Sequence, residues 1–370
     1  VNFATVSPQA WLEDKATTAN AAGGVLLHAG TGVFQSPGGG EVQLVKTGMA
    51  LEARGCAVGL FNPWRDRLAE ARLVHLFGLH PEGETLARLA KSAGIGVVVS
   101  PICWYDPRAH WEMASGWIPG LAGWAKWGAL RHAAPLRRRA WRSRLLHYAD
   151  AVLPNSEAEA DQIHRLLGIA LSRLHVVPNA VDPADQPADR ILTEHRFGTS
   201  DFVLYVGRIE PRKNVLGLIR ACRDIAKPLV VVGDAPAEQA DYLRQCRHAA
   251  GDVRFVGAMP KGDPLLESAL ATARVFALPS WFETPGLAAL EAAAYGTPVA
   301  ITVRGSTREY FGDAVAWCDP ADPATIRAAI DEAWHRPSPA RFALADRIRG
   351  EWTWPETARI TEGIYDAVAP

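Results

Sequence analysis

The densest run of chemistry-bearing residues is Ala277-Leu-Pro-Ser-Trp-Phe-Glu-Thr-Pro-Gly-Leu-Ala-Ala-Leu-Glu291. An apolar stretch ending near Pro279 predicts a strand, the loop after it carries Glu283, and Pro285 suits the first turn of a helix. Gly286 and Leu287 then present backbone N–H groups at a helix N-terminus. The amides there lack intrahelical acceptors and the dipole favours anions, so this is a cradle for phosphate. Glu291 follows Glu283, and at ~1.5 Å rise per residue the two carboxylates lie on the order of 10 Å apart. One is suited to accept hydrogen bonds from a sugar and the other from a ribose, with phosphates between. Taken alone, the pair fits equally well with two surface glutamates, one of them favoured by the helix dipole.

A second segment, Phe202-Val-Leu-Tyr-Val-Gly-Arg-Ile-Glu-Pro-Arg-Lys-Asn214, reads as a strand, a glycine turn and a cationic loop entering a helix. Arg208 and Lys213 are spaced to converge on a diphosphate at the strand's carboxyl end. There they would neutralise it without a metal and stabilise it as it departs. Arg212 is the expected solvent-facing member, and a solvated basic loop is the alternative for the whole segment. No glycine-rich dinucleotide fingerprint, P-loop or Asp-x-Asp pair occurs, which weakens dehydrogenase, P-loop and metal-clamp readings.

These segments need strands and helices to hold them, and the chain supplies both in alternation. Val25–His28, Ala57–Phe61, Leu73–Phe77, Gly96–Ser100, Ala151–Pro154 and Leu174–Val177 predict strands, separated by helices such as Glu41–Arg54 and Ser156–Leu167. The rhythm restarts with Phe202–Val206, Leu229–Val232, Val253–Val256, Val275–Ala277 and Val299–Ile301. Between the two series lies Pro178–Asp189, rich in proline and aspartate, as expected of an interdomain linker. The pattern predicts two doubly wound parallel α/β domains facing a cleft at the carboxyl ends of their strands. The expected divisions are residues 1–183, residues 184–350 and a terminal helical segment over 351–370.

With these pieces in place the chain resembles the retaining, family-four type of nucleotide-sugar glycosyltransferase, with the GT-B fold. The resemblance is carried by Gly207-Arg-Ile-Glu-Pro-Arg-Lys-Asn214 and the Glu283…Glu291 segment. Val177-Pro-Asn-Ala-Val-Asp182, Val231-Val-Gly-Asp234, Val253-Arg-Phe-Val-Gly257 and Gly296-Thr-Pro-Val-Ala300 add to it. Trp354…Tyr365 looks like the family's terminal helix, which crosses back onto the first domain, and Gly38, Gly39 and Gly40 resemble its glycine loop near the donor phosphates. The resemblance implies that Arg208 and Lys213 hold the pyrophosphate and Glu291 the ribose. It implies that Glu283 meets the donor sugar, that Gly286, Leu287, Gly39 and Gly40 contact donor groups, and that no metal or other cofactor is needed. The family often has Gly-Phe where this chain has Thr284-Pro285. Many members also carry a histidine where this chain reads Val99-Ser-Pro-Ile-Cys-Trp-Tyr-Asp106; His75, His80 and His110 are the candidate substitutes, His110 foremost. A sugar-nucleotide epimerase or phosphorylase of the same fold, or a non-catalytic nucleotide-sugar-binding partner, are the competing readings.

Composition sets the surroundings. Lys plus Arg (39) nearly balances Asp plus Glu (40), so no global field recruits nucleic acid. Five cysteines without a CxxC pair read as reduced core thiols and a cytoplasmic protein. No apolar run is long enough to span a bilayer. Trp104, Trp111, Trp117, Trp124, Trp127 and Trp141 are interleaved with Lys126, Arg131, Arg137, Arg138, Arg139, Arg142 and Arg144. This Trp104–Arg144 stretch is expected to touch anionic inner-leaflet lipid and admit a lipid-linked saccharide acceptor. The product class expected from this combination is a bacterial surface polysaccharide.

Overall fold

The computed structural model describes residues 7–18, 20–35, 38–113, 140–182 and 188–369. The chain divides into two compact units. One comprises Val1–Pro107, Gly116–Ala180 and Trp354–Pro370; the other comprises Arg108–Ser115 and Val181–Thr353. Residues 114–139 of the Trp- and Arg-rich stretch lie outside the described residues; of its described basic members, Arg144 pairs with Glu84 at 2.6 Å and Arg142 stacks over Trp141 at 4.4 Å.

The first unit is built on a parallel sheet in the order β2-β1-β3-β4-β5. Its strands are β1 (Val25–Ala29), β2 (Val58–Leu60), β3 (Leu73–Phe77), β4 (Gly96–Ser100) and β5 (Ala151–Val152). All residues of β3 and β4 are buried. That is why they read as continuous apolar runs: helices cover both faces of a parallel sheet. The expected strand at Leu174–Val177 is not one. His175 and Val177 donate to Val152 and Pro154 (both 2.9 Å), but only Leu174 forms a bridge, and Pro178 has no N–H with which to extend it.

The terminal helix, Trp354–Val368, packs on the Gly39–Ala53 helix within this same unit. Its anchor is Tyr365, fully buried, whose hydroxyl lies 2.6 Å from His75 Nδ1 on β3, while His75 Nε2 lies 2.9 Å from the Ser100 hydroxyl on β4. Arg54–Glu362 (2.6 Å) and Arg72–Asp366 (2.6 Å) add exposed ion pairs along the helix.

The second unit has a six-stranded parallel sheet, ordered β11-β10-β9-β6-β7-β8. The strands are β6 (Val203–Val206), β7 (Leu229–Val232), β8 (Val253–Gly257), β9 (Val275–Leu278), β10 (Val299–Thr302) and β11 (Ala316–Cys318). Strands β6, β7, β9 and β10 form the centre of a core that also takes in Phe197, Phe202, Ile219, Leu290, Phe311 and Ile330. Strand order reverses between β1 and β3 in the first sheet and between β6 and β9 in the second. Loops leaving two such strands diverge to opposite faces and open a crevice at the carboxyl end, where open α/β sheets take ligands.

Candidate functional site

The two motif segments are the two loops that leave the β6/β9 switch point. After β6, Pro211–Lys213 forms a single helical turn that ends at Asn214, which has φ 52°. The Asn214 amide donates to the carbonyls of Pro279 (3.2 Å) and Pro320 (3.3 Å), tying this loop to the end of β9. Trp281 N–H donates to the Arg212 carbonyl (2.8 Å), closing the two loops on each other.

That closure brings Lys213 Nζ to 2.7 Å from Glu283 Oε1, with the Arg212 guanidinium 3.8 Å from the same oxygen. Glu283 is 4% exposed. Burial alone pushes its carboxyl up, but Lys213 and Arg212 outweigh burial and hold it below the usual carboxylate range, so it is ionised. Burial, with Arg212 beside it, lowers the Lys213 ammonium in turn. Arg212 also pairs with Glu210 (3.1 Å), donates to the Phe282 carbonyl (3.2 Å) and stacks over the Phe282 ring at 5.3 Å. It is therefore a strut between the loops and not the solvent-facing member expected. Arg208 is the more exposed of the two arginines and lies 3.7 Å from Glu210. Three cations (Arg208, Arg212 and Lys213) against two carboxylates (Glu210 and Glu283) leave this cluster one positive charge in excess at the strand end. Among the described residues no group of three or more His, Cys, Asp or Glu side chains is placed to hold a metal ion.

The helix after Glu283 runs Leu287–Ala294 and is capped by Gly286 at φ 97°. Pro285 thus precedes the cap, outside the first turn where it was expected, and the Thr284–Pro285 bond is cis. Gly286, Leu287 and Ala288 still present the first backbone amides of the helix. Glu291, one helical turn inside, is held by Lys261 Nζ at 2.6 Å, and Lys261 also reaches Asp182 at 3.0 Å. Burial works against the Lys261 charge, but the two carboxylates raise its affinity for the proton above that of an ordinary lysine.

Six of the expected residues (Arg208, Lys213, Glu283, Gly286, Leu287 and Glu291) lie in this one unit. Gly39 and Gly40 lie in the other, as the first two residues of the Gly39–Ala53 helix, with Glu41 accepting from the Gly38 N–H at 2.5 Å. Of the candidate histidines, His75 is a core residue tied to Tyr365 and Ser100 and kept neutral by burial, so it meets no substrate. His80 is half-buried beside the start of the Pro81–Ser92 helix, and His110 is exposed on the Pro107–Met113 helix.

Two residues that hold the site were not expected. Gly305 (φ 99°) lies so close to the Glu283 backbone that a Cβ there would fall 2.0 Å from the Glu283 carbonyl oxygen. Its neighbours pin that backbone: Glu283 N–H donates to Arg304 and Ser306 N–H donates to Glu283. Lys261 is the other; it sits in the loop beyond β8, and no local motif marked it as the partner of Glu291.

Comparison with known proteins decides the family. Residues 189–349 match the model "Glycosyl transferases group 1", and residues 28–180 match "Glycosyl transferase 4-like domain". The chain carries a glycosyl transferase 4-like domain followed by a group 1 glycosyl transferase domain. Among its relatives is a D-inositol 3-phosphate glycosyltransferase of Stackebrandtia nassauensis, 27% identical over 93% of this chain and 89% of the relative. Another is O-antigen chain mannosyltransferase B of Escherichia coli, 31% identical over 56% of this chain and 58% of the relative. Similar solved structures include HepE of Anabaena in complex with UDP and glucose (TM-score 0.70, 17% identity, 94% of this chain and 100% of that one). Sucrose-phosphate synthase of Thermosynechococcus elongatus has TM-score 0.72 at 17% identity, covering 93% of this chain and 98% of that one. These likenesses place the glycosyltransferase in the GT-B fold. No described helix is long and apolar enough to cross a membrane.

Proposed function

We propose that the glycosyltransferase moves a sugar from a nucleoside diphosphate donor to a saccharide acceptor, without a metal and with retention of anomeric configuration. The donor is taken by the second unit and the acceptor by the first. The observation that carries this is the cation-rich cluster at the β6/β9 switch point, set beside the amides of the Leu287–Ala294 helix. Arg208 and Lys213 there offset the charge that grows on the departing diphosphate, the work a metal ion does in other designs. Glu283 is buried and engaged by Lys213, which suits it to orient a sugar and stabilise positive charge at the anomeric carbon. A carboxylate so engaged is a poor nucleophile, so a single-step front-face transfer is favoured over a covalent intermediate. Glu291, fixed by Lys261, is suited to the ribose.

The E. coli relative's name points to surface polysaccharide, and we extend the acceptor to a lipid-linked saccharide of that class. Contact with anionic lipid through the Trp104–Arg144 stretch belongs to the same proposal, and flotation with anionic vesicles tests it. The donor is tested by a thermal-shift panel of UDP, GDP, dTDP, ADP and CMP, with and without EDTA. A bound diphosphate at 100-fold its Kd adds about 2.7 kcal/mol of stability. A shift with one nucleoside diphosphate, indifferent to EDTA, is expected; a shift abolished by EDTA contradicts the metal-free site.

A further inference from the structure

The first unit has its own switch point, between β1 and β3, and the residues leaving those strands carry chemistry that the donor site does not use. His28 lies at the end of β1, Thr31 follows it, and His80 and Glu82 flank the start of the Pro81–Ser92 helix after β3. Glu82 fastens the β1 loop to that helix, accepting from the Thr31 N–H (2.9 Å) and from its hydroxyl (3.2 Å). His28 is half-buried, with its ring edge-on to Phe61 at 5.8 Å. Burial lowers its affinity for a proton, so it stands as a neutral imidazole.

His80 is mounted with some care. A Cβ on Gly30 would fall 2.4 Å from His80 Nδ1, and one on Gly78 would fall 2.7 Å from Nε2. Gly78 needs to be glycine for its backbone as well, with φ 78°. Gly30 has no such torsion, so what glycine supplies there is room for the imidazole. His80 is half-buried and makes no side-chain hydrogen bond to any described residue. The neutral His28 ring offers one donor and one acceptor nitrogen, the His80 ring nitrogens are hydrogen-bonding groups too, and a carboxylate offers acceptors only. His28, Thr31, His80 and Glu82 include no lysine or arginine to draw a phosphate. Their chemistry matches neutral hydroxyl groups, as on a saccharide ring, and they stand at the sheet position where ligands bind.

We propose that this cluster is a hydroxyl-binding subsite for the acceptor, in which His80 meets a saccharide hydroxyl and Gly30 is the mount that holds His80 in place. This rests on the proposal that the first unit takes a saccharide acceptor. It puts the acceptor contact at the end of β3, not at the β4 loop, where Ile102 adopts φ 47° and its side chain would lie 3.5 Å from a Cβ on Gly40.

The test uses full-length protein labelled with 13C-histidine, with the His80 ring resonance assigned from His80→Gln. The probes are the methyl α-glycosides of glucose, mannose and galactose. At least one glycoside is expected to shift the His80 resonance. Gly30→Ala, which displaces the ring without touching it chemically, weakens that binding by at least ~10-fold, about the worth of one hydrogen bond. The Gly30→Ala/His80→Gln double variant binds no more weakly than His80→Gln alone, because the displaced ring is already gone. No shift with any of the three glycosides, or an undiminished shift in Gly30→Ala, overturns the subsite. Nucleoside diphosphate is titrated into the same samples. Retained nucleotide binding without a glycoside response sinks the subsite and leaves the donor site standing; loss of nucleotide binding by the wild type sinks the donor site instead.

Discussion

His75 makes the first unit acid-sensitive, by an amount that follows from its surroundings. Its ring is 1% exposed, paired with the Tyr365 and Ser100 hydroxyls and, among the described residues, with no carboxylate, and burial pushes the imidazole down to about 3 from 6.5. Between those two values the unfolded chain binds a proton that the folded chain refuses. The stability tied to this group is therefore complete above about pH 6.5 and drains away as the pH falls toward 3. One proton corresponds to about 1.4 kcal/mol per pH unit, so lowering the pH from about 6.5 to about 5 removes roughly 2 kcal/mol. Most carboxylates titrate below that window. The assay is urea unfolding at the two pH values, read by hydrogen exchange at β3 and β4 peptides, for the wild type and His75→Gln. Other histidines contribute alike to both proteins and cancel in the comparison. The wild type is expected to lose roughly 2 kcal/mol more than the variant across the window. Parallel losses would mean that the folded state accepts the proton on His75, the opposite of what its burial predicts.

Three further outcomes follow from the same structure. Tyr365→Phe leaves His75 Nδ1 without its partner and costs about 1–3 kcal/mol, measured by the same unfolding assay at neutral pH. Gly305→Ala forces a Cβ onto the Glu283 carbonyl at a positive φ. Turnover should fall steeply, whereas Gly168→Ala, also at positive φ but with open space around it, costs about 1 kcal/mol of stability and leaves turnover intact. Lys261→Met releases Glu291 and removes the Lys261–Asp182 pair. Calorimetry should show weaker nucleoside diphosphate binding and a smaller preference for ribose over deoxyribose, with Lys261→Arg partly restoring both.

The parallel strands were legible because burial on both faces removes alternation and leaves runs such as Leu229–Val232 and Gly96–Ser100. Strand β11 escaped notice: Ala316-Trp-Cys318 is three residues long, and its middle residue is only half-buried. The Leu174–Val177 run has strand-like composition, but a proline one residue later ends its ladder. In the site, Glu283 and Lys213 were legible because the glycine, proline and charge pattern around each marks a strand-end loop. Gly305 and Lys261 were not, since each acts on a glutamate distant in sequence, and only the fold reveals such a pairing. Arg212 was misjudged for a related reason: in a local reading a third cation next to Lys213 belongs in water, yet Glu210, Glu283 and the Phe282 carbonyl await it.

Arg208 and Lys213 at the β6/β9 switch point are the proposed holders of the donor's diphosphate, and this assignment is open to measurement. Its most direct test is the Kd, by calorimetry, of the nucleoside diphosphate that stabilises the wild type, compared with Lys213→Met and Arg208→Gln. A charged hydrogen bond to phosphate is worth about 1.5–3 kcal/mol, so each variant should bind roughly 10- to 100-fold more weakly, Arg208→Gln with an enthalpy of unfolding close to that of the wild type. Unchanged affinity in both variants would place the donor phosphates elsewhere.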